Sequence, residues 1–542
     1  MNKNFKILLT AVNAKYIHTC PAIYSLKAYA EAQNGTEKAA VITAEYTIND
    51  RYSDILDSIL SYEADVIAFS TYIWNVDRVR RLVRDLRKIL ADQVKIWIGG
   101  PEATYYPDPF LLKDGADLCM LGEGEETFTA LIRSMPDMPD IQGIAFGENG
   151  RVVNTGTSVP ADINRIPFLY RDLSEFEHRI LYYESSRGCP FSCAYCLSGN
   201  ERGIRFRDIA KVKEELRFFL DRKVPQVKFI DRTFNADPDH AMQIWHYIRD
   251  HDNGVTNFHF EIEADRITRE ELELLTTLRP GLIQMEIGVQ SANPLTLKSV
   301  HRSAKLDRIR EVMAALTGKQ NINLHLDLIA GLPYEDLKSF AGSFQAVYDM
   351  RPHQLQLGFL KLLKGTELYE RRNEYGLVCS EDAPYEVLKT RWLSYSDISL
   401  LHRVSDRVEE YVSSQGFRRS LPLAEKMFPD AFSLFRALAL YYKDKGYEQR
   451  PPSVFRRYEI FSCFLKEWAE KTGAADSEKL ALLLETVRLD QYLHTHPSRR
   501  MSAREVFRFG NTRVEYLFDY REISPVHGEA SCTMRIQEDN TV

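Results

Sequence analysis

The sequence predicts an α/β protein in three parts: a doubly wound parallel sheet, a partial barrel of six βα units, and a mostly helical C-terminal region. Three observations predict it. Short apolar runs alternate with amphipathic stretches over the first 145 residues. The alternation restarts near Leu181, after a proline-marked interval. Beyond about Gly376 strand signals largely give way to long helical patterns. The expected parts are 1–145, a linker 146–180, a barrel 181–375 and an extension 376–542.

In the first part the candidate strands are Phe5–Thr10, Ala39–Ala44, Asp65–Thr71, Val94–Gly99 and Asp117–Leu121, with helical patterns between them. Five strands and four or five helices suit a flavodoxin-like doubly wound sheet. Glu148-Asn-Gly150 is a turn signal, and Pro160 with Ile163–Pro167 reads as a linker crossing a surface. Barrel strands are expected at Leu181–Arg187, Gln226–Ile230, Phe258–Ile262, Leu282–Gly288, Asn323–Ile329 and Gln354–Leu360. The extension carries aromatic-rich helical patterns such as Phe432–Lys443 and Phe455–Lys471. A terminal hairpin is expected from Glu505–Arg508 and Glu515–Tyr520.

The 542 residues are 27% charged and 44% hydrophobic, which excludes disordered, collagenous and coiled-coil classes. A net charge of −7 gives no global basic field, so nucleic acid is not indicated, although a local basic groove is left open. No apolar run is long enough to span a bilayer, and Met1–Thr10 lacks the features of a secretory signal, so no membrane insertion and a cytoplasmic location are expected. Eight cysteines are too sparse for a disulfide scaffold; metal binding or catalysis is the better question.

The answer centres on Arg187-Gly-Cys189-Pro-Phe-Ser-Cys193-Ala-Tyr-Cys196, directly after a predicted strand. Thiolates are soft ligands for iron–sulfur clusters or zinc. Three on one loop can hold three irons of a [4Fe–4S] cube and leave the fourth open. The alternative is a structural site completed by a histidine or by Cys20, Cys119, Cys379, Cys463 or Cys532. With Tyr195 just before the third cysteine, the triplet resembles the radical S-adenosylmethionine (SAM) superfamily. The resemblance implies Cys189, Cys193 and Cys196 as cluster ligands, SAM on the open iron, and reductive cleavage of SAM to a 5′-deoxyadenosyl radical.

Further motifs fit this resemblance. Asp231, in Phe229-Ile-Asp-Arg-Thr-Phe234, occupies the position that in the family often meets the SAM amino group, although the usual Gly-Gly-Glu form is missing; a helix cap or turn is its other reading. Glu261 and Glu263 share one strand face and are expected to meet SAM, substrate or Arg266. Met285-Glu-Ile-Gly-Val-Gln-Ser291 and Asp327-Leu-Ile-Ala-Gly-Leu-Pro333 resemble the subgroup that includes methylthiotransferases and cobalamin-dependent members, placing Gln290 and Ser291 near the SAM ribose or carboxylate. His325 shares a face with Asp327 and reads as a core or rim histidine.

In the first part, loops are expected at the carboxyl ends of the strands, where such sheets bind ligands. Ser70 before an aromatic loop, Gly99-Gly-Pro-Glu102 and Gly122-Glu-Gly-Glu125 together resemble the cobalamin-binding domain fused to one class of radical SAM enzymes. That implies Ser70, Gly99, Gly100 and Glu123 at the cofactor. Asp-x-His-x-x-Gly is absent, and His18 is the lone histidine of the first 150 residues; loop packing is its default. Tyr16 and Trp74 either cover the corrin or belong to the core. The extension resembles one found on a subset of these proteins and reads as a lid or substrate-selecting domain.

Together these features point to a cobalamin-dependent radical SAM enzyme that methylates an unactivated carbon, served by an electron donor such as flavodoxin or ferredoxin. Within the class, cyclisation, rearrangement and methylthiolation are alternatives, the last weakened because the first domain has only Cys20 and Cys119. A non-catalytic iron–sulfur redox sensor or scaffold is the alternative outside it. The substrate is not specified.

Overall fold

A computed structural model describes residues 5–200, 203–473, 477–495, 502–510, 512–523 and 529–537. The first apolar runs become β1 (Phe5–Asn13), β2 (Ala39–Thr47), β3 (Val66–Ser70), β4 (Lys95–Gly99) and β5 (Leu118–Met120). All five are parallel, in the order β2-β1-β3-β4-β5. Helices lie over both faces, which is why β3 is buried along its whole length and carries no polar alternation. The sheet does not stop at residue 145. β6 (Ile144–Glu148) and β7 (Arg151–Asn154) add an antiparallel hairpin at its edge. Asn149 and Gly150, both at positive φ, form its turn. The boundary placed at 145 therefore falls inside this sheet, and the chain crosses to the barrel only after Asn154.

The barrel sheet holds six parallel strands in chain order: β8 (Leu181–Tyr183), β11 (Gln226–Phe229), β12 (Asn257–Ile262), β13 (Ile283–Gln290), β14 (Asn323–Ala330) and β15 (Gln354–Phe359). The single strand expected over Leu181–Arg187 is broken. Its second half, β9 (Ser186–Cys189), leaves the sheet and pairs antiparallel with β10 (Gly203–Phe206). The cysteine loop is thus the tip of a hairpin standing on the barrel.

Along β12, β13 and β14 burial alternates strictly with the pleat. Outward residues such as Phe260, Met285 and Leu326 are buried beneath helices, whereas the inward ones keep partial access to water.

Helices Tyr395–Val408, Ala431–Asp444, Val454–Thr472 and Ser477–His494 build most of the extension. The expected terminal hairpin proves to be two strands of a three-stranded sheet, Ser502–Phe509, Thr512–Ile523 and Ala530–Gln537. Ser531–Arg535 of the third strand are all exposed, so no apolar alternation marked it in the sequence.

The helices of the extension buttress the outside of the barrel, while its first residues, around Tyr385 and Val387, pack at the carboxyl ends of the last barrel strands. Phe432 and Phe435 pack on Phe344 and Tyr348. Ser413 Oγ donates to the Leu355 carbonyl (3.2 Å), Ser405 Oγ to that of Leu357 (3.3 Å), and Gln415 Nε2 to that of His353. The free edge of β15, which would otherwise offer unpaired backbone groups, is covered in this way.

Candidate functional site

Gly188 lets the cysteine hairpin form. It has φ +102°, and a Cβ there would collide with the Gly203 carbonyl oxygen across the pair. The loop beyond is anchored by its backbone: Ala194 donates to the Val300 carbonyl (3.0 Å) and accepts from Leu368 N–H (2.9 Å), and Cys196 N–H closes a turn on Cys193 O (3.0 Å). Cys193 is buried, which pushes its thiol pKa up, while Arg302 opposes this with a guanidinium 3.8 Å from the sulfur. Cys189 Sγ lies 3.6 Å from Thr233 Oγ1. The three sulfurs do not converge within 4.8 Å, as ligands of one ion would. Three spread soft donors suit the corners of an iron–sulfur cube.

Beside them stands a clamp built from Glu263 and Gln290, both expected from the sequence, and from Arg302, which the sequence reading missed. Arg302, its side chain only 9% exposed, pairs with Glu263 Oε1 at 2.5 Å and donates to the Gly288 carbonyl. Burial raises the Glu263 pKa and Arg302 pulls it back. Asn235 fixes Glu263 through its backbone N–H and C=O, both at 2.9 Å. A bulge between Gly288 and Gln290 puts Gln290 at φ +69°. Its amide folds back over Gly288, where a Cβ would strike it. Gln290 Oε1 and Arg302 Nε are buried with no hydrogen-bond partner. Two orphaned polar atoms beside the thiols fit the ribose and amino-acid groups of SAM. Arg302 follows a short helix, Pro294–Ser299, with no local motif to mark it. Tyr195 packs beside Cys193 and Arg302, and burial holds its hydroxyl far above the usual range.

Three expected site residues do other work. Asp231 is enclosed, and burial pushes it up to about 6. Its oxygens accept from Ser185 N–H (3.0 Å), Ser185 Oγ (2.6 Å) and Ser186 Oγ (2.6 Å), so it pins the chain at the strand break rather than meeting SAM. Ser291 is fully buried and donates to Glu335 Oε1 at 2.7 Å, as does Ser343. Glu123 sits between the first sheet and the cysteine hairpin, paired with Arg187 (3.0 Å) and Arg205. These carboxylates have partners more than forty residues away in sequence, invisible to motif reading.

Burial raises Glu335 to about 7. Its protonated form is favoured in the folded state, so the stability it confers is complete below about 4.5 and is lost as pH rises through 7. Glu335→Gln should therefore remove about 3 kcal/mol of pH dependence between pH 4.5 and 7, read as the difference between the two proteins' urea-unfolding curves.

Below the clamp the lumen is polar on every strand. Gln226, Asn257, Gln284, Asn323 and Gln354 lie at the strand starts and form an amide floor, with Gln284 Nε2 donating to Asn257 Oδ1 at 2.9 Å. Above it, Glu286 Oε2 accepts from His259 Nε2 (3.0 Å) and faces Lys228 Nζ (3.4 Å). Burial opposes ionisation of Glu286, but His259 and Lys228 hold its pKa near 2. His325 Nε2 pairs with Asp327 Oδ1 at 3.0 Å. Closed barrels are normally packed with branched aliphatics; the inner face of this open, partial barrel is polar instead.

The first sheet turns its ligand-binding edge toward the barrel. In the order β2-β1-β3-β4-β5 the topological switch lies between β1 and β3. On the loops at these strand ends Tyr16, Ile17, Trp74 and Tyr106 are exposed, and Tyr72 stacks on Trp74 at 4.4 Å. Across the gap Ile180 N–H donates to Ile17 O (2.8 Å), Tyr385 OH to Glu102 Oε2 (2.7 Å), and Lys364 lies over Tyr106. An exposed aromatic rim between two domains suits a large flat macrocycle such as a corrin. Ser70 is buried, 3.5 Å from Cys20 Sγ. Gly99 closes β4, and Gly100, at φ +99°, is packed on the Thr71 backbone. His18 Nδ1 is 2.5 Å from Tyr182 OH, which holds the ring in the interdomain packing, and burial lowers its pKa.

Residues 7–132 match the family model of the B12 binding domain, and 183–347 that of the radical SAM superfamily. The chain thus carries a B12-binding domain followed by a radical SAM domain. The protein also matches, over residues 373–513, a third model, described as a protein of unknown function (DUF4080). It is 22% identical to an uncharacterized methyltransferase, PH0819, of Pyrococcus horikoshii, over 67% of this chain and 79% of that one. It is 25% identical to the cobalamin-dependent radical SAM methyltransferase TokK of Streptomyces tokunonensis, over 58% of this chain and 50% of TokK. Its fold is shared with OxsB, a cobalamin-dependent SAM radical enzyme solved with aqua-cobalamin bound. That match has a TM-score of 0.61 and 16% identity, over 90% of this chain and 79% of OxsB. No helix among the described residues is long and apolar enough to cross a membrane.

Proposed function

We propose that this B12-binding radical SAM protein methylates an unactivated carbon of a polar substrate held between its first two domains. The carrying observation is that the two sites share one interdomain face: the loops at the carboxyl edge of the first sheet meet the barrel at Ile17–Ile180, and Glu123 pairs with Arg187 and Arg205 of the thiol hairpin. When bound, the cluster with SAM supplies a hydrogen-abstracting radical and cobalamin supplies the methyl group.

The chain's own residues do the rest. Cys189, Cys193 and Cys196 hold the cluster. Arg302, Glu263, Gln290 and Tyr195 orient SAM beside it. Trp74, Tyr72 and Tyr16 bind the corrin face near Ser70 and Gly99, and the interdomain pairs of Glu123 with Arg187 and Arg205 keep the two sites in register. A thiol-held cluster of this kind calls for a reducing, cytoplasmic setting and a one-electron donor such as flavodoxin or ferredoxin.

The test is anaerobic purification, cluster reconstitution and titration with hydroxocobalamin, following absorbance retained through gel filtration. Near-stoichiometric retention is expected, and Trp74→Ala should weaken binding by about tenfold. No retention by the wild type would overturn methyl transfer as the reaction.

A further inference from the structure

We infer that Glu261 is the anchor for a cationic nitrogen of the substrate, so that the substrate is an amine- or guanidine-bearing molecule; this rests on the proposed reaction. The charge balance in the lumen carries it. Glu286 is satisfied by His259 and Lys228, and Asp327 Oδ1 faces His325 Nε2 at 3.0 Å in a buried contact that lacks hydrogen-bond geometry. Lys228, the one lysine there among the described residues, lies closer to Glu286 (3.4 Å) than to Glu261 (3.9 Å). Glu261 is therefore the most weakly neutralised of these carboxylates, with only the longer Lys228 contact and Arg232 as a more distant cation.

It is also the most accessible of them: a third of its side chain is open to water, against 26% for Glu286, 16% for Asp327 and 13% for Glu263 in the clamp above. Burial, reinforced by Glu286, raises Glu261 to about 7. A cation beside it would relieve that cost, and few other ligands would.

Glu263 stands just past the end of β12, still in extended backbone, two residues and about 7 Å along the chain from Glu261. A nitrogen seated on Glu261 thus places the carbons attached to it directly beneath the SAM-binding clamp. The amide floor adds neutral hydrogen-bonding partners for the deeper end of the molecule.

A divalent metal is the competing occupant, because ligand atoms of Glu286, His325 and Asp327 lie within 4.8 Å of one another. The Lys228 ammonium argues against it: it lies 3.4 Å from Glu286, one of the three groups a metal would need, and would repel the ion.

The experiment is calorimetric titration of the full chain, cluster reconstituted and SAM added, with agmatine and n-butylamine as cationic probes and n-butanol as the uncharged control. Manganese(II) is titrated separately by electron paramagnetic resonance. Saturable one-site binding of the amines and none of the alcohol is expected. Glu261→Gln should weaken amine binding by about tenfold, and Glu261→Asp should restore part of it, with iron content and SAM affinity unchanged in both. Equal binding of amine and alcohol, no saturable amine binding, amine affinity unaffected by Glu261→Gln, or stoichiometric manganese that amines displace would each overturn the assignment. Retention of hydroxocobalamin is scored in parallel, so failure of the methyl-transfer reading is seen separately from failure at Glu261.

Discussion

Gly188→Ala is expected to yield a chain whose first sheet and C-terminal helices fold but which holds only about a tenth of the wild-type iron after anaerobic reconstitution. Residue 188 lies at φ +102°, where an L side chain is strained by about 1–2 kcal/mol before any contact is counted. The added Cβ then meets a backbone oxygen, that of Gly203, and not a side chain able to rotate away. Gly203 is itself fixed, since it is the register partner of Cys189. Relief can come only by opening the hairpin, and opening it moves Cys189 relative to Cys193, which is tied separately to Val300 and Leu368 through Ala194. The measurement is iron and sulfide per chain, with circular dichroism as the control for folding. Wild-type iron content with unchanged dichroism would show that the hairpin geometry is dispensable.

Gly188 also shows where sequence reading reaches and where it stops. The Arg-Gly-Cys run and the cysteine spacing were legible because ligands of one cluster must lie close in the chain. So were the parallel strands of both sheets, though not the antiparallel β6 and β7, because a parallel sheet buried on both faces needs continuous apolar runs, and a barrel needs a period of two. The break between β8 and β9 was not legible, because Leu181–Arg187 has the composition of one strand. What splits it is Asp231, drawn from the next strand to accept three hydrogen bonds at Ser185 and Ser186.

The misread roles have the same origin. Ser291 and Glu123 sit in stretches that match family motifs, yet their partners, Glu335, Ser343, Arg187 and Arg205, come from distant segments. Type and spacing identify a thiolate set; they do not say which of several carboxylates is already spoken for. The polar lumen could have been anticipated from the alternation in β12 to β14, where every second residue is an amide, a charge or a histidine up to the level of the clamp.

Arg302→Met should destabilise the barrel by about 4 kcal/mol and lower the cluster's reduction potential by roughly tens of millivolts. Arg302 is the cation beside the buried Glu263, and its side chain is only 9% exposed. Removing it leaves a carboxylate in low dielectric with no cation, which costs far more than the pair contributed. Glu263→Gln in the same chain should recover most of the loss, because it removes the stranded charge; the double-mutant cycle measures how strongly the two are coupled. The redox effect is separate. A guanidinium 3.8 Å from Cys193 Sγ favours the more negative, reduced cluster, and losing it disfavours reduction. Glu263→Gln should not restore the potential, since it returns no positive charge to the sulfur. Chemical denaturation and potentiometric titration of the four proteins in the cycle separate the two effects. A potential unchanged in Arg302→Met would confine Arg302 to holding Glu263 and Gly288 in place. A potential that falls while stability returns in the double variant would make it the residue that links the cluster loop to the SAM clamp, through one side chain reaching both.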